Sequence, residues 1–144
     1  MEPRDVVERF YSAYNAHDTD AMARCYSEWG DFVAPGELTM RGRDLASAFD
    51  RRWVGAFPDL HIELRTVMES GQWVVVEGTA TGTHAGPLRF FGWDVAPTGR
   101  RVVADFAVIY HVEGEEIVSA HLRYDRLSLM RQLGVLGGEG GRAG

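Results

Sequence analysis

The chain has 144 residues, 45% of them hydrophobic and 11% aromatic, which suits one well-filled globular core and is too apolar for a disordered chain. All 15 Lys+Arg positions are arginine and the formal charge is −6, an acidic balance that repels phosphate backbones and argues against nucleic acid as a partner. The single cysteine, Cys25, excludes an intrachain disulfide, and no apolar run approaches the roughly 18 residues of a membrane span.

The charged start MEPRDVVERF is not a signal peptide, so the chain is expected in the cytoplasm. From Asp5 to about Asn15, the residues Val6, Val7, Phe10, Tyr11 and Tyr14 recur at helical spacing. NAHDTD breaks this helix, and Asp18 or Asp20 is placed to cap a second one over Ala21 to about Ser27. A short strand follows around Phe32, is broken by Pro35–Gly36, and gives way to an extended piece at Leu38 to Met40. Asp44 is placed to cap a third helix, Leu45 to about Phe57, with Leu45, Phe49, Trp53 and Phe57 as its apolar stripe and Pro58 as its stop.

The period then changes from helical to alternating. Leu60, Ile62 and Leu64 alternate with His61, Glu63 and Arg65, and a long strand runs from Trp73 to His84. PLRFFGWDVAPTGRR reads as a loop or hairpin arm with a turn at Pro97–Thr98–Gly99. VVADFAVIYHV and IVSAHLRYD are strands joined by an EGEE turn, and LSLMRQL is a terminal helical turn that Gly134 stops. Helices followed by a run of antiparallel strands predict an α+β domain: three N-terminal helices packed in the concave face of a curved, mostly antiparallel sheet. The domain is expected over residues 1–136, with a disordered Gly-rich tail at 137–144. Tyr11, Tyr14, Tyr26, Trp29, Trp53 and Phe57 all precede the sheet; they are either core filling or the wall of a cavity for a flat apolar ligand.

The order of elements, with TGTHAGPL, PTGRRV, VIYHVEGEEIVSAH and LMRQLG, resembles the SnoaL-like polyketide cyclases of the nuclear-transport-factor-like α+β cone superfamily, which also holds ketosteroid isomerases and limonene epoxide hydrolases. The resemblance covers roughly residues 4 to 136. It implies a cone with a deep apolar pocket, and a homodimer or homotetramer built through the outer face of the sheet. It also implies an intramolecular aldol closure in which an acidic residue of the last strand works on an enol without metal or cofactor.

Laid on IVSAHLRYD without a gap, the family's last-strand histidine falls on Ala120 and its catalytic aspartate on Leu122. Those positions share a face with Tyr124, while His121, Arg123 and Asp125 share the other. The polar pocket position of the preceding strand falls on Val108, between Phe106 and Tyr110, and the isomerases' general-base aspartate falls on Ala34. An acid or base must reach within about 3 Å of its proton, which Leu122 cannot do. The hydroxyls of Tyr124 and Tyr14, and His84 at the end of the long strand, are the polar candidates for catalysis, although His84 also reads as a structural hydrogen bond holding its loop. Trp29, Ala34, Trp53 and Phe57 are expected to touch substrate from the helical half, and Phe91, Phe106, Val108, Tyr110 and Leu122 from the arm and sheet.

No HExxH or CxxC spacing is present, so no metal site is expected, and no serine sits where a Ser–His–Asp group needs one. The leading expectation is a cyclase closing a ring on a hydrophobic, polyketide-type intermediate by folding it, as in a pericyclic four-plus-two closure. An aldol-type cyclase, an isomerase or epoxide hydrolase of the same fold, and a non-catalytic binder of an apolar metabolite stand as alternatives.

Overall fold

The computed structural model describes residues 1–36, 38–90 and 93–135. Helix α1, Pro3–Asn15, opens with Pro3 in its first turn and a reciprocal cap between Glu2 and Asp5. Its last residue, Asn15, docks on the sheet: the side chain donates to the Ile62 carbonyl at 2.8 Å and accepts from the Ile62 N–H at 2.7 Å. Asp18 caps α2, Thr19–Arg24, by accepting from the Ala21 N–H at 3.0 Å.

Helix α2 is shorter than its apolar pattern suggested, because Tyr26 already belongs to strand β1, Tyr26–Ala34. Met22, Cys25 and Tyr26 are all buried, and so short a run fits either period. β2 is Leu38–Arg41. Helix α3, Arg43–Ala56, starts at Gly42 rather than at an Asp44 cap; Asp44 sits in the first turn, where its charge favours the helix N-terminus. Its inward face is Ala46, Asp50 and Ala56, with Phe49 and Trp53 half-buried, whereas Leu45 is 54% exposed. The helix is thus rotated from the purely apolar stripe, because one of its inward residues is a carboxylate.

The remaining strands are β3 (His61–Ser70), β4 (Trp73–Thr83), β5 (Leu88–Phe90), β6 (Trp93–Val95), β7 (Arg101–Glu113) and β8 (Glu116–Tyr124), before helix α4, Arg126–Leu133. Six of them form one sheet in the order β2-β1-β8-β7-β4-β3, while β5 and β6 pair separately as the arm. The expected antiparallel meander is β3, β4, β7 and β8; β1 extends it by lying parallel to β8, which makes the sheet mixed. A register shift between Tyr26 and Asp31 marks a bulge in β1. Within it Gly30 passes so close to β8 that a Cβ would meet the Val118 carbonyl oxygen at 2.6 Å.

Helix α1 packs over β3, β4 and β7, and α3 over β1, β2 and the arm. At Gly86 the approach of arm to helix is closest, since a Cβ there would fall 2.1 Å from the Gly55 carbonyl oxygen. Helix α4 is capped by Asp125 and stopped by Gly134 at φ 79°. β8 pairs with β7 only as far as Phe106–Tyr124, so the edge of β7 beyond that point is open. Gln132 fills it, accepting from the Val103 N–H at 2.8 Å and donating to the Val103 carbonyl at 2.9 Å.

Candidate active site

Between the helices and the sheet lies a cavity of about 1030 Å³, counting its open mouth. The period of β8 decides its wall: Ala120, Leu122 and Tyr124 line it, while His121 and Arg123 are exposed on the opposite face. β7 contributes Phe106, Val108 and Tyr110 by the same alternation. The rest of the wall comes from α1, α3 and β1, with residues of β2, β3, β4 and α4 completing it.

The two groups of rings around this space differ in chemistry. The first is buried and hydroxylated. Phe10 stands at its centre, with Tyr11, Tyr14, Tyr26 and Tyr110 arranged edge-on around it at ring distances of 5.3 to 6.4 Å. All five are less than a tenth exposed. Asp50 of α3 enters this group from the helical side and is 6% exposed. The Tyr26 hydroxyl donates to its Oδ2 at 2.5 Å, and the Tyr14 phenol lies beside the carboxylate. Burial pushes the Asp50 carboxyl up to about 7, against the lowering effect of the two tyrosine hydroxyls. Burial and the neighbouring carboxylate together hold the phenols of Tyr14 and Tyr26 well above their ordinary range, so both remain donors. Tyr11 and Tyr110 form a second polar pair, their hydroxyl oxygens 2.6 Å apart.

The second group is apolar. Phe49, Trp53 and Phe57 line the cavity from α3 and its end; Trp53 lies edge-on to Tyr124 at 6.0 Å and stacks towards Phe57 at 6.3 Å. The Tyr124 phenol is pushed up to about 12 by burial, so it too stays protonated at neutral pH. Among the described residues no cluster of three His, Cys, Asp or Glu is arranged to hold a metal ion, and no helix is long and apolar enough to cross a membrane.

The family model for SnoaL-like polyketide cyclases matches residues 4–133. The chain belongs to the SnoaL-like polyketide cyclase family. Solved structures of similar fold include a provisionally assigned SnoaL-like polyketide cyclase from Jannaschia sp. CCS1, at 21% identity over 94% of this chain and 93% of that one, with a TM-score of 0.81. IdmH from Streptomyces antibioticus, provisionally assigned as a polyketide cyclase, is 23% identical over 93% of this chain and 99% of its own, with a TM-score of 0.77. AclR from Streptomyces galilaeus, provisionally assigned as a hydroxylase, is 22% identical over 94% and 97%, with a TM-score of 0.80. No curated protein is significantly similar to the chain in sequence. These likenesses establish the α+β cone; the spread of assigned activities on it shows that the reaction must be argued from the site.

The positions of the family's last-strand histidine and aspartate and of its polar pocket residue, Ala120, Leu122 and Val108, and that of the isomerases' aspartate, Ala34, are all on the cavity wall and all apolar here. Of the residues expected to touch substrate, Trp53, Phe57, Phe106 and Tyr110 line the cavity as well, and so do the expected catalytic Tyr14 and Tyr124. Phe91 lies outside the described residues.

Two expectations are corrected. Trp29 does not reach the cavity: it is 82% exposed, thrown outward by the β1 bulge, where its N–H bonds the Ser27 hydroxyl at 3.0 Å. His84 is fully buried but not on the cavity wall; it sits behind Phe57 at a ring distance of 5.5 Å. Its Nδ1 accepts from the Thr98 N–H at 3.2 Å, and its backbone bonds Arg100 and Gly99, which ties the Pro97–Gly99 turn to the end of β4. The structural reading of this histidine is the one its contacts support.

None of the expected site residues is a carboxylate, yet Asp50 lines the cavity. The sequence held a signal for this residue. Ala46, Asp50, Trp53 and Phe57 are spaced four, three and four apart, so the aspartate lies on the helix stripe that contains the two largest rings.

Proposed function

We propose that this chain closes a ring on a hydrophobic, polyketide-type intermediate held in the cavity, working as a homodimer through the outer face of its sheet. The observation that carries the reading is the cavity: apolar on almost every side, with hydrogen-bonded polar groups clustered at one group of rings. Such a space folds a flexible chain and anchors one oxygenated end of it. Holding a linear substrate in a reactive geometry is worth up to about 7–11 kcal/mol. The emptied family positions favour folding of the substrate over proton transfer from the last strand. The buried carboxylate restores the case for an aldol-type closure, since it supplies from α3 what Leu122 does not. The outer face offers a second copy a mixed surface: Ile109 and Trp73 are exposed there, beside an Arg65–Asp105 ion pair.

The test is incubation of the purified chain with linear poly-β-ketone thioesters and with conjugated polyene chains, followed by mass and NMR analysis of the products. Cyclic product from one of the classes is expected. It is lost in Leu122→Trp, which fills the cavity, and kept in Asp20→Asn on the surface of α2. Saturable binding of these chains with no ring formed would sink the enzymatic reading and leave a binding protein.

A further inference from the structure

We infer that Asp50 is the acid/base residue of this cavity, taking a proton from the carbon beside a substrate carbonyl while the Tyr11–Tyr110 pair holds the carbonyl oxygen. This deepens the cyclase reading and rests on it for the identity of the substrate. It moves the proton-transfer chemistry of the family fold from the last strand to α3.

Asp50 is 6% exposed, among rings, and no cationic side chain lines the cavity among the described residues. A buried carboxylate without a cation is costly, and a chain that needed only a packed helix would place an apolar residue there. What the structure builds instead is a phenol donor, Tyr26 at 2.5 Å, with the Tyr14 phenol beside it, which keeps the carboxylate oriented towards the cavity without neutralising it. A carboxylate has about four lone-pair sites, and these two phenols leave sites for a substrate proton.

The Tyr11–Tyr110 pair supplies the donor. Two hydroxyls carry two hydrogens, and their mutual bond at 2.6 Å uses one of them. The other hydrogen is free to donate, in a dry site where such a bond is strongest. Base and donor line the same cavity.

The step balances within the substrate. The Asp50 oxygen takes the proton as the C–H bond breaks, and the electron pair moves onto the carbonyl oxygen, which accepts from the tyrosine pair as an enolate. The enolate carbon attacks a second carbonyl of the folded chain, forming the new C–C bond. The oxygen of that second carbonyl takes the proton back from Asp50. Nothing is oxidised or reduced, and the carboxylate is regenerated.

The experiment uses β-tetralone, a bicyclic apolar ketone with acidic α-hydrogens, as the probe. Its binding is followed by tyrosine and tryptophan fluorescence and its α-hydrogen exchange in heavy water by NMR. The wild-type chain is expected to accelerate exchange saturably, with a rate that rises with pH through about 7 as Asp50 ionises. Asp50→Asn is expected to bind the ketone and lose exchange by roughly 100-fold or more, the scale of general base catalysis. Tyr26→Phe removes a donor to the carboxylate, so the pH midpoint moves upward; this shift also serves if Asp50→Asn fails to fold.

Exchange at the wild-type rate in Asp50→Asn, a bound ketone that the wild type exchanges no faster than buffer does, or a ketone that does not bind at all would each overturn the assignment. The two readings fail separately. Ring closure that survives Asp50→Asn keeps the cyclase and removes Asp50, whereas exchange without ring closure keeps Asp50 and removes the cyclase.

Discussion

The two ring groups of the cavity use similar side chains for different ends. Around Phe10 four tyrosines are buried, with the hydroxyls of Tyr11 and Tyr110 paired to each other and that of Tyr26 to Asp50. Around Trp53 the rings are partly exposed except for the buried Phe57, and Tyr124 has no hydrogen bond to another described residue. The first group is a polar device inside a core, where each hydroxyl must be satisfied or it destabilises the fold. The second is a shaped apolar surface, where volume matters and polarity does not. Among the rings of the cavity, the phenols with a polar side-chain partner are those of the buried group.

The contrast is sharpest in activity. Asp50→Asn should lower the rate of ring closure by roughly 10²–10⁴-fold with substrate binding retained. Leu122→Trp should abolish binding itself, so a split between rate and affinity separates the two groups. If both substitutions act only on affinity, the division is wrong. In stability, Phe10→Ala should cost about 3–5 kcal/mol in urea unfolding, since Phe10 is 2% exposed and touches four rings. Trp53→Ala, at a half-buried site, should cost clearly less, and equal costs would erase the distinction.

The same contrast has a pH signature. The Asp50 carboxyl stands near 7 when folded and near the ordinary aspartate value of about 4 when unfolded, so the folded state binds its proton more tightly. Its contribution is fully favourable below about pH 4 and is lost as pH rises through about 7. Relative to Asp50→Asn, the wild type should lose up to about 4 kcal/mol over that window, measured by urea unfolding at about pH 4.5 and about pH 8. A difference between the two chains that does not change with pH would contradict the buried, titrating carboxylate. Away from the cavity the effects shrink. Gln132→Ala opens two hydrogen bonds on the edge of β7 and should cost about 1–2 kcal/mol by thermal unfolding. Trp29→Ala should change stability by less than about 0.5 kcal/mol and leave substrate binding unaltered, which distinguishes the bulged tryptophan from Trp53.

Much of this architecture is legible in the residue pattern. The strands β3, β4, β7 and β8 follow from alternation, α1 from its stripe, and the inward face of β8 from the positions of Ala120, Leu122 and Tyr124. What the pattern hides has a common cause. Tyr26 is assigned to a helix because a buried run of three apolar residues fits two periods. Trp29 is assigned to the wall because a bulge that rotates one residue leaves no mark in an apolar count. Asp50 is passed over because a carboxylate on a helix counts as solvent-facing until its partners are known, and those partners, Tyr14 and Tyr26, come from two other elements. Buried polar groups depend on long-range pairing, and hydrophobic periodicity carries no information about it.

The central claim is that a carboxyl buried among tyrosines titrates near neutral pH. The direct measurement is ¹³C NMR titration of the aspartate side-chain carboxyls in the wild type and in Asp50→Asn. One carboxyl resonance with a midpoint near about 7, absent from the variant, is the predicted result. A spectrum in which every aspartate titrates in the ordinary range of about 4, and in which the variant differs only by one such resonance, would contradict the account.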